Sequence, residues 1–555
     1  MSKRLILLLA LVLAVGITFA AYAEVQNVKV SGDIQVQAVS RNNLMLRGDN
    51  NANWADPNAV VGFNDSFNEF ENHITGLLSH VRVRVDADLT DNVSTTVRLL
   101  NEHVWGNNVG TTMYTPTVGG AVGVGGAPGE YTTVNNKQDT IDLDLAFVTL
   151  KEFLYSPLTL VVGRQELSYG NGLIIGDVDT DGFCVGHVTA ANGATPARAA
   201  GTNMPRSLDD LSIRKAFDAV KAVLNYDPLV VDAVYAKVSE GGIGQKDDMD
   251  LYGVNANYAL RKDTTVELYY WERVIQKAVG AEDGSNPSAI PRGVANSGAL
   301  FYTEARNDVV RTVGSRAQYS GIKNLVVGLE GAFQSGLKAN NIMLYPDDFV
   351  TAPDATYFNG IGTGARRRRA YAIQMVSQYN LADLIKKYEP VMLLTYTLES
   401  GDPFRSTNHI YRGWDPMFEN QGSGTLYNKI LGSSNGQVVS VGVSLKAMED
   451  VKFALDYYFI RLMKAYDIRE DQSVGGGPNG TPYGVTLSGV PGDPTYKMKE
   501  NEKNLGNEVD AALTYDYTED VQFGLSAGWF LPGPAFDSDN DKAASQVIGS
   551  MKVTF

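Results

Sequence analysis

Apolar and polar residues alternate with period two along most of the chain. The alternation is strict in residues 81–89 (VRVRVDADL) and 140–150 (TIDLDLAFVTL), and it returns in residues 325–336 and 521–533. Successive side chains of a β-strand point to opposite faces, so this period gives each strand one apolar and one polar face. The pattern predicts an all-β protein of about eighteen amphipathic strands.

The connections between the predicted strands alternate between tight turns and long Gly-, Asn- and Asp-rich stretches. The tight turns are residues 90–92, 225–228, 261–263, 448–450 and 518–520, and the long stretches are 41–76, 104–139, 165–209, 336–366, 401–435 and 464–504. Short periplasmic turns and long extracellular loops are typical of a transmembrane antiparallel β-barrel. A β-sandwich does not require this segregation, and a propeller would show a repeated blade motif.

The cost of placing a charge in lipid assigns the two faces of the strands. A charged side chain facing the middle of the bilayer costs about 2–4 kcal/mol, so charges within strands should face the lumen. The predicted pore-lining residues are Arg82, Arg84, Arg98, Asp142, Asp144, Arg164, Glu166, Arg214, Asp218, Arg316, Glu330, Asp456, Glu508 and Asp510. The opposite face, which includes Leu143 and Leu145, is predicted to contact lipid.

The strand around Arg164 fits this rule less simply than the others. Arg164 would lie on the same strand face as the apolar residues Leu160 and Val162, and a bulge at Gly163 would remove this conflict by shifting the alternation. The prediction keeps Arg164 inward in either case.

Charges of both signs on the inner face predict a selective, solvated pore, because fixed charges select ions. About eighteen strands enclose a lumen too wide for side chains to fill. The alternative is that these charges only pair with each other and hold the wall together.

The N-terminal residues have the pattern of a secretory signal. Lys3 and Arg4 precede an apolar run over residues 5–20, and residues 21–23 (AYA) fit a cleavage site. We therefore expect a signal peptide over residues 1–23 and a single barrel over residues 24–555, with a membrane anchor as the alternative. The later sequence has no apolar run of about 18 residues, so any membrane crossing must use strands.

The last predicted strand, residues 545–555, has an apolar face of Val547, Gly549, Met551, Val553 and Phe555. A closing strand that ends in Phe resembles the signal by which the barrel-assembly machinery recognises its substrates. With the signal peptide and the alternating loop lengths, it predicts the outer membrane of a Gram-negative bacterium.

Composition excludes several classes of function. The formal net charge is −16, and the only cysteine is Cys184. One cysteine rules out a disulfide framework, an iron–sulfur cluster and a Cys-based zinc site. An acidic exported protein is also a poor candidate for nucleic acid, which requires a basic surface.

Three stretches resemble the alginate-export family of outer-membrane proteins. They are residues 162–177 (VGRQELSYGNGLIIGD), 214–222 (RKAFDAVKA) and 504–536, with a weaker fourth in residues 398–403 (LESGDP). The resemblance implies an eighteen-stranded barrel that passes an anionic polysaccharide through an arginine-rich lumen, with periplasmic export partners. It implies that Arg164, Arg214, Glu508 and Asp510 line that lumen.

The inward face is as acidic as it is basic, which departs from the family pattern. The expected function is a channel for a polar, anionic solute or a polysaccharide. A porin for the uptake of small nutrients is the alternative, and a structural or adhesive barrel is a third possibility.

Two further motifs have weaker meanings. Asp177, Asp179 and Asp181 resemble the start of a calcium loop, but its twelfth position is Val188, so they are only weak Ca²⁺ candidates and no other cofactor is expected. The basic run Arg366, Arg367, Arg368 and Arg369 is predicted at the outer rim. It would hold anionic lipopolysaccharide, attract anionic solutes or form an ordinary charged rim.

An enzymatic function is not predicted. The five histidines are His73, His80, His103, His187 and His409, and none lies in a nucleophile-elbow context. The expected partners are outer-membrane lipid, lipopolysaccharide, the assembly machinery and the solute.

Overall fold

The structure is a computed structural model of the chain. It describes residues 27–44, 46, 73–105, 112–114, 131–133, 141–178, 208–240, 248–276, 307–338, 366–402, 410–431, 434–465, 498–499 and 501–555. The predicted signal peptide therefore lies outside the described residues.

The described residues form β-strands almost throughout. The strands are β1 (Asn27–Asn42), β2 (His73–Thr90), β3 (Val93–Val104), β4 (Thr112–Tyr114), β5 (Tyr131–Thr133), β6 (Asp142–Leu150), β7 (Leu158–Glu166), β8 (Ala216–Asn225), β9 (Leu229–Ser239), β10 (Met249–Arg261), β11 (Thr264–Ile275), β12 (Asp308–Ile322), β13 (Leu325–Lys338), β14 (Arg366–Asn380), β15 (Val391–Glu399), β16 (Ile410–Tyr411), β17 (Gly436–Lys446), β18 (Val451–Leu462), β19 (Asn504–Asp516), β20 (Val521–Pro532) and β21 (Ala544–Thr554). A short helix, α1 (Tyr427–Leu431), and two single 3₁₀ turns complete the described part.

Eighteen of the described strands form a closed antiparallel ring. Each strand pairs with the next around the ring, and β1 pairs with β21 over residues 33–42 and 545–554. Gly32 and Phe555 extend this seam by exchanging backbone hydrogen bonds of 2.8 and 3.0 Å. The ring has no open edge, because every strand in it has a hydrogen-bonded neighbour on each side. The predicted transmembrane β-barrel is confirmed.

Three short strands lie outside the ring. β4 and β5 pair only with each other, while β16 runs parallel to the start of β14. No helix in the described ranges has the length and hydropathy needed to cross a membrane.

The strand bounds place short connections at one end of the barrel and long ones at the other. Residues 91–92, 262–263 and 323–324 form tight turns, whereas residues 167–215 join β7 to β8 and residues 463–503 join β18 to β19. We call these two ends the turn end and the loop end.

Period-two alternation in the sequence becomes two distinct surfaces. Val83, Leu329 and Leu525 are exposed on the outside, while their neighbours in sequence face inward. The outer surface is the apolar band that a lipid bilayer requires.

A bulge in β6 changes one predicted face. The pairing of β3 with β6 shifts between Arg98 and Leu99. As a result, Asp144 has no paired residue on β3. Leu143 is exposed as predicted, but Leu145 is only 3% exposed and faces inward opposite Arg98. The predicted lipid contact of Leu145 is therefore wrong, because the extra residue reverses the alternation beyond it.

Candidate functional site in the barrel lumen

Two of the long connections fold back into the barrel. Residues 167–178 and residues 410–431 contribute Leu173, Trp414 and Phe418 to an apolar cluster on the inner wall of β8–β14. The two segments also bond to each other, since the Phe418 carbonyl accepts hydrogen bonds from the N–H groups of residues 176 and 177, at 2.7 and 3.1 Å. The loop-end half of the lumen is therefore partly filled by the chain itself.

The second of these segments reaches the other wall. Tyr427 and Ile430 of α1, with Leu426 just before the helix, lie in a separate apolar cluster with Ile460 and Phe530 of β18 and β20. Residues 410–431, which we call the crossing segment, thus contact both sides of the barrel and narrow its lumen.

Two predicted lumen carboxylates hold the crossing segment. The N–H groups of Leu426 and Tyr427 each donate to the Glu508 carboxylate at 2.7 Å, and the Thr425 N–H donates to Asp510 at 3.1 Å. The start of a helix has unpaired N–H groups, so a carboxylate is a favourable acceptor there. Glu508 and Asp510 face inward but are buried.

Gly424 permits the close approach of the crossing segment to Glu508. Its φ is +102°, and a Cβ at this position would lie 2.6 Å from a carboxylate oxygen of Glu508. Only glycine combines this backbone conformation with this contact.

A cluster with more cations than carboxylates lies at the loop end of the lumen. Arg273 donates to Asp415 at 2.7 Å, Arg368 donates to Asp308 at 2.5 Å, and the Lys338 ammonium lies 3.6 Å from Asp308. Lys338 keeps 39% of its side chain exposed. Arg273 also retains two guanidinium nitrogens without a hydrogen-bond partner, Nε and Nη1. We call these five residues the entrance cluster.

The crossing segment supplies Asp415 to the entrance cluster. Burial would raise the pKa of Asp415, but Arg273, Arg368 and Lys338 hold it well below its usual range. The Gln334 side chain fixes this part of the segment, because it donates to the Asp415 carbonyl at 2.6 Å and accepts from the Asp415 N–H at 2.9 Å.

Five of the predicted lumen residues meet in a second network. Arg98 donates to Asp144 at 2.5 Å and to Glu166, while Arg214 donates to Asp142. Arg214 also lies 3.4 Å from Glu102, which was not predicted. Sequence alternation brings these charges to one region, but their pairing depends on residues 208–215 folding against β3.

Toward the turn end the predicted charges are more accessible. Arg82 donates to Asp33 at 2.8 Å, and Arg84 donates to Asp86 at 2.8 Å. The side chains of Arg84 and Asp86 are 39% and 35% exposed. These pairs line an open part of the lumen.

The remaining predicted lumen residues face inward on other strands. Arg316 donates to Asn171 at 3.0 Å, and Glu330 accepts from the Tyr269 hydroxyl at 2.8 Å. Asp456 lies on the face of β18 opposite the exposed Leu455 and Tyr457.

The structure places Arg164 and Asp218 differently from the prediction. They pair with each other at 2.9 Å on the outer face, in register beside Val162 and Val220, which are both 41% exposed. Gly163 has φ +126°, and a Cβ there would lie 2.1 Å from the neighbouring strand's carbonyl oxygen at residue 146. Pairing through Gly163 is continuous, so regular alternation keeps Arg164 on the face of Val162, and the position near the loop end lets this charge pair occur on the outside.

Sequence reasoning missed Arg41, which was assigned to a long loop. It is fully buried on β1 and donates to Asp210 at 2.8 and 2.5 Å, while Lys429 of α1 lies 3.4 Å from the same carboxylate. Burial would raise the pKa of Asp210, but Lys429 and Arg41 lower it. The sequence did contain a signal, because residues 33–41 continue a strand pattern in which Arg41 shares the face of Asp33.

The weaker motifs have separate positions. Asp177 lies 3.6 Å from Lys215, while Asp179 and Asp181 fall outside the described residues. Within the described ranges, no group of three or more His, Cys, Asp or Glu residues is placed to hold a metal ion.

His80 is buried with its Nε2 3.6 Å from Glu102.

The architecture defines the class of protein. A membrane-spanning structure must pair its backbone groups internally, and a closed barrel does so. The closed eighteen-stranded ring, its apolar outer band and its charged lumen are those of a porin-type barrel. The chain is an outer-membrane β-barrel of a Gram-negative bacterium.

Comparisons with known proteins find only distant similarity. No protein-family model matches the chain, and no curated protein matches it significantly. Similar solved structures include the Pseudomonas aeruginosa outer membrane protein OpdK, with a TM-score of 0.45, 8% identity, and coverage of 96% of this chain and 100% of that one. They also include OccK2 (OpdF) of the same organism in complex with glucuronate, with a TM-score of 0.47, 9% identity, and coverage of 96% and 99%.

A third is OpdK with vanillate, with a TM-score of 0.44, 8% identity, and coverage of 95% and 99%. TM-scores and identities this low do not identify a solute. The assignment of the barrel rests on its own strand pairing.

Proposed function

We propose that this protein is a channel for the uptake of small, polar, negatively charged solutes. The observation that carries the proposal is the entrance cluster, where three cations face two carboxylates beside the crossing segment. The charge excess lies where the lumen is narrowed, so a permeating solute must pass close to it.

The entrance cluster has the chemistry to guide an anion. Lys338 keeps 39% of its side chain exposed, so its ammonium can contact a carboxylate or phosphate, while the buried guanidinium groups of Arg273 and Arg368 add positive charge behind it. Asp308 and Asp415 neutralise part of the charge, which keeps binding weak enough for release. Arg82 and Arg84 continue the cationic path toward the turn end, each beside a carboxylate.

The crossing segment favours small solutes over a polymer. Its two apolar clusters and its bonds to Glu508 tie it to both walls. A polysaccharide chain would have to displace or bypass it, so we propose uptake of small solutes rather than alginate export. Glucuronate and vanillate, bound in two of the similar structures, are also small carboxylates, although their similarity to this chain is too low to add weight.

We further propose that the loop end faces the exterior and the turn end the periplasm, and that the barrel-assembly machinery inserts the chain. The charged lumen supports transport rather than catalysis or a purely structural role. A purified protein that gave no conductance in planar bilayers would support the structural alternative.

Reversal potentials in a salt gradient test the proposed selectivity. Lys338→Glu should shift selectivity from anions toward cations, because it reverses the accessible charge of the entrance cluster. Lys387→Glu is the matched control, since it makes the same charge change in the exposed connection 381–390 at the turn end.

An unchanged reversal potential in Lys338→Glu would contradict the proposal, as would an equal shift in the control. Efficient passage of long anionic polysaccharides into liposomes would instead support the export alternative.

A further inference from the structure

The basic run of β14 divides between the two faces of the barrel. Arg366 donates to Asp402 at 2.8 Å, and Arg368 belongs to the entrance cluster. Arg367 and Arg369 have the opposite parity and are exposed on the outer face. Among the described residues, neither of these two side chains has an ion pair or hydrogen bond.

The outer face of β14 shows the depth of these two arginines in the membrane. Tyr371 and Tyr379 lie toward its two ends, with Ile373 exposed between them. At about 3.3 Å per residue the strand from Tyr371 to Tyr379 is roughly 26 Å long, and a tilt of about 40° reduces its height across the membrane to roughly 20 Å, which is most of the ~25 Å apolar band of outer-membrane barrels. Arg369 and Arg367 follow directly beyond Tyr371, so they lie at the level of the lipid headgroups.

The neighbouring strands continue the same two levels in register. The row at the edge of the apolar band consists of Tyr270, Val313, Phe333 and Tyr371. The row above it consists of Glu272, Arg311, Ser335 and Arg369. Arg311 donates to Glu272 at 3.0 Å and remains 49% exposed. The upper level therefore carries an excess of positive charge over a continuous apolar surface.

We propose that Arg311, Arg367 and Arg369 form a binding site for the phosphorylated headgroup of an outer-leaflet glycolipid. The guanidinium groups bind the phosphate oxygens through paired N–H donors. The acyl chains lie along the apolar surface below, against Phe333 and Tyr371. The site rests on the proposed orientation of the barrel, but it lies outside the lumen and does not depend on the solute.

Binding of lipid A to the purified barrel tests this site. Wild type is titrated with bisphosphorylated lipid A and with lipid A stripped of both phosphates, and retention is measured by native mass spectrometry. The double variant Arg367→Gln/Arg369→Gln should bind the phosphorylated form about 30-fold more weakly, because each headgroup-level cation contributes about a factor of five.

The matched control is Lys386→Gln/Lys387→Gln, which removes two exposed cations from the connection at the turn end. It should bind lipid A as wild type does. The site is overturned if wild type binds both forms of lipid A equally, if the arginine variant keeps its affinity, or if the lysine control loses as much. It is also overturned if inorganic phosphate displaces lipid A at the same concentration, since the ligand would then be a free anion.

The reversal potential of the arginine variant separates this site from the channel function. It should equal that of wild type, because both arginines lie outside the lumen. A shifted reversal potential would place them in the conduction path and overturn the lipid site, without bearing on the Lys338 test.

Discussion

The two halves of the lumen differ in how their inner faces are used. In the loop-end half, inner-face residues such as Leu78, Thr312, Ala370 and Phe530 are buried under chain segments that fold inward. In the turn-end half, inner-face side chains such as Arg84 remain accessible to water. The same strands form both halves, so strand pairing alone does not determine whether a lumen is open.

The difference shows that charge serves two purposes in one barrel. Glu508 and Asp510 accept hydrogen bonds from backbone N–H groups of the crossing segment, and Asp210 joins Arg41 of the wall to Lys429 of α1, so these carboxylates stabilise a constriction. Arg82 and Arg84 pair only with neighbouring side chains of the wall and stay in contact with solvent. Substitutions in the two halves should therefore have different consequences.

Among substitutions that compare the two halves, the largest loss of stability is expected from Phe418→Ala. Phe418 is fully buried and packs edge-on against Phe217, with ring centroids 5.4 Å apart. Removing a buried aromatic ring costs about 3–5 kcal/mol, so urea unfolding should show a clear loss of stability. Phe523→Ala is the control, because Phe523 is 40% exposed on the outer face and should cost less. Equal losses would show that the inserted segments add nothing to stability.

The next largest effect is expected from Glu508→Ala. Two backbone N–H groups lose a charged acceptor, and hydrogen bonds to charged groups contribute about 1.5–3 kcal/mol each. The crossing segment should detach from β19, and single-channel conductance should rise. Asp456→Ala removes a carboxylate from the inner face of the adjacent strand β18. A similar conductance in both variants would mean that the crossing segment does not limit flow.

A pH dependence should distinguish the two halves. The folded pKa of Asp415 lies below its usual range, so its stabilising effect is complete above about pH 4 and is lost as the pH falls through the folded value. Conductance should rise in strong acid as the crossing segment loosens at the entrance cluster. Asp415→Asn should weaken this response, and an identical pH profile for wild type and variant would exclude Asp415 as its source.

The smallest effect on stability is expected in the turn-end half, from Arg84→Ala. Its pair with Asp86 is well exposed, and such pairs contribute about 0–1 kcal/mol. Unfolding should be almost unchanged while anion selectivity falls slightly. A loss of stability as large as that of Phe418→Ala would remove the distinction between the two halves.

The sequence is a good guide to the barrel wall. Alternation in residues 81–89 predicts Arg82 and Arg84 inside and Val83 outside, because one face of each strand must contact lipid, and Val83 is 37% exposed. The rule failed for Leu145, where a bulge at Asp144 shifts the register, and for Arg164, which regular pairing keeps on the outer face beside Val162 near the loop end. A bulge depends on pairing with neighbouring strands, which the period of a single strand does not show.

The constriction was much less predictable. Trp414 and Phe418 lie in a Gly- and Asn-rich stretch whose composition indicates an ordinary loop. Their burial depends on the width of the lumen and on distant wall residues such as Phe217 and Trp271. Glu508 is predicted from its strand to face inward, but its hydrogen bonds to the crossing segment depend on Gly424, which no local pattern identifies.

The seam between β1 and β21 has a consequence for how the molecule folds. Across it, Arg41 Nε donates to Gln546 Oε1 at 2.6 Å, joining residues 505 positions apart. Contacts of such long range form slowly because a large loop must first be closed. Most other strand pairs join sequence neighbours and can assemble earlier. Arg41 should therefore become buried late in folding, when β1 and β21 pair and the ring closes.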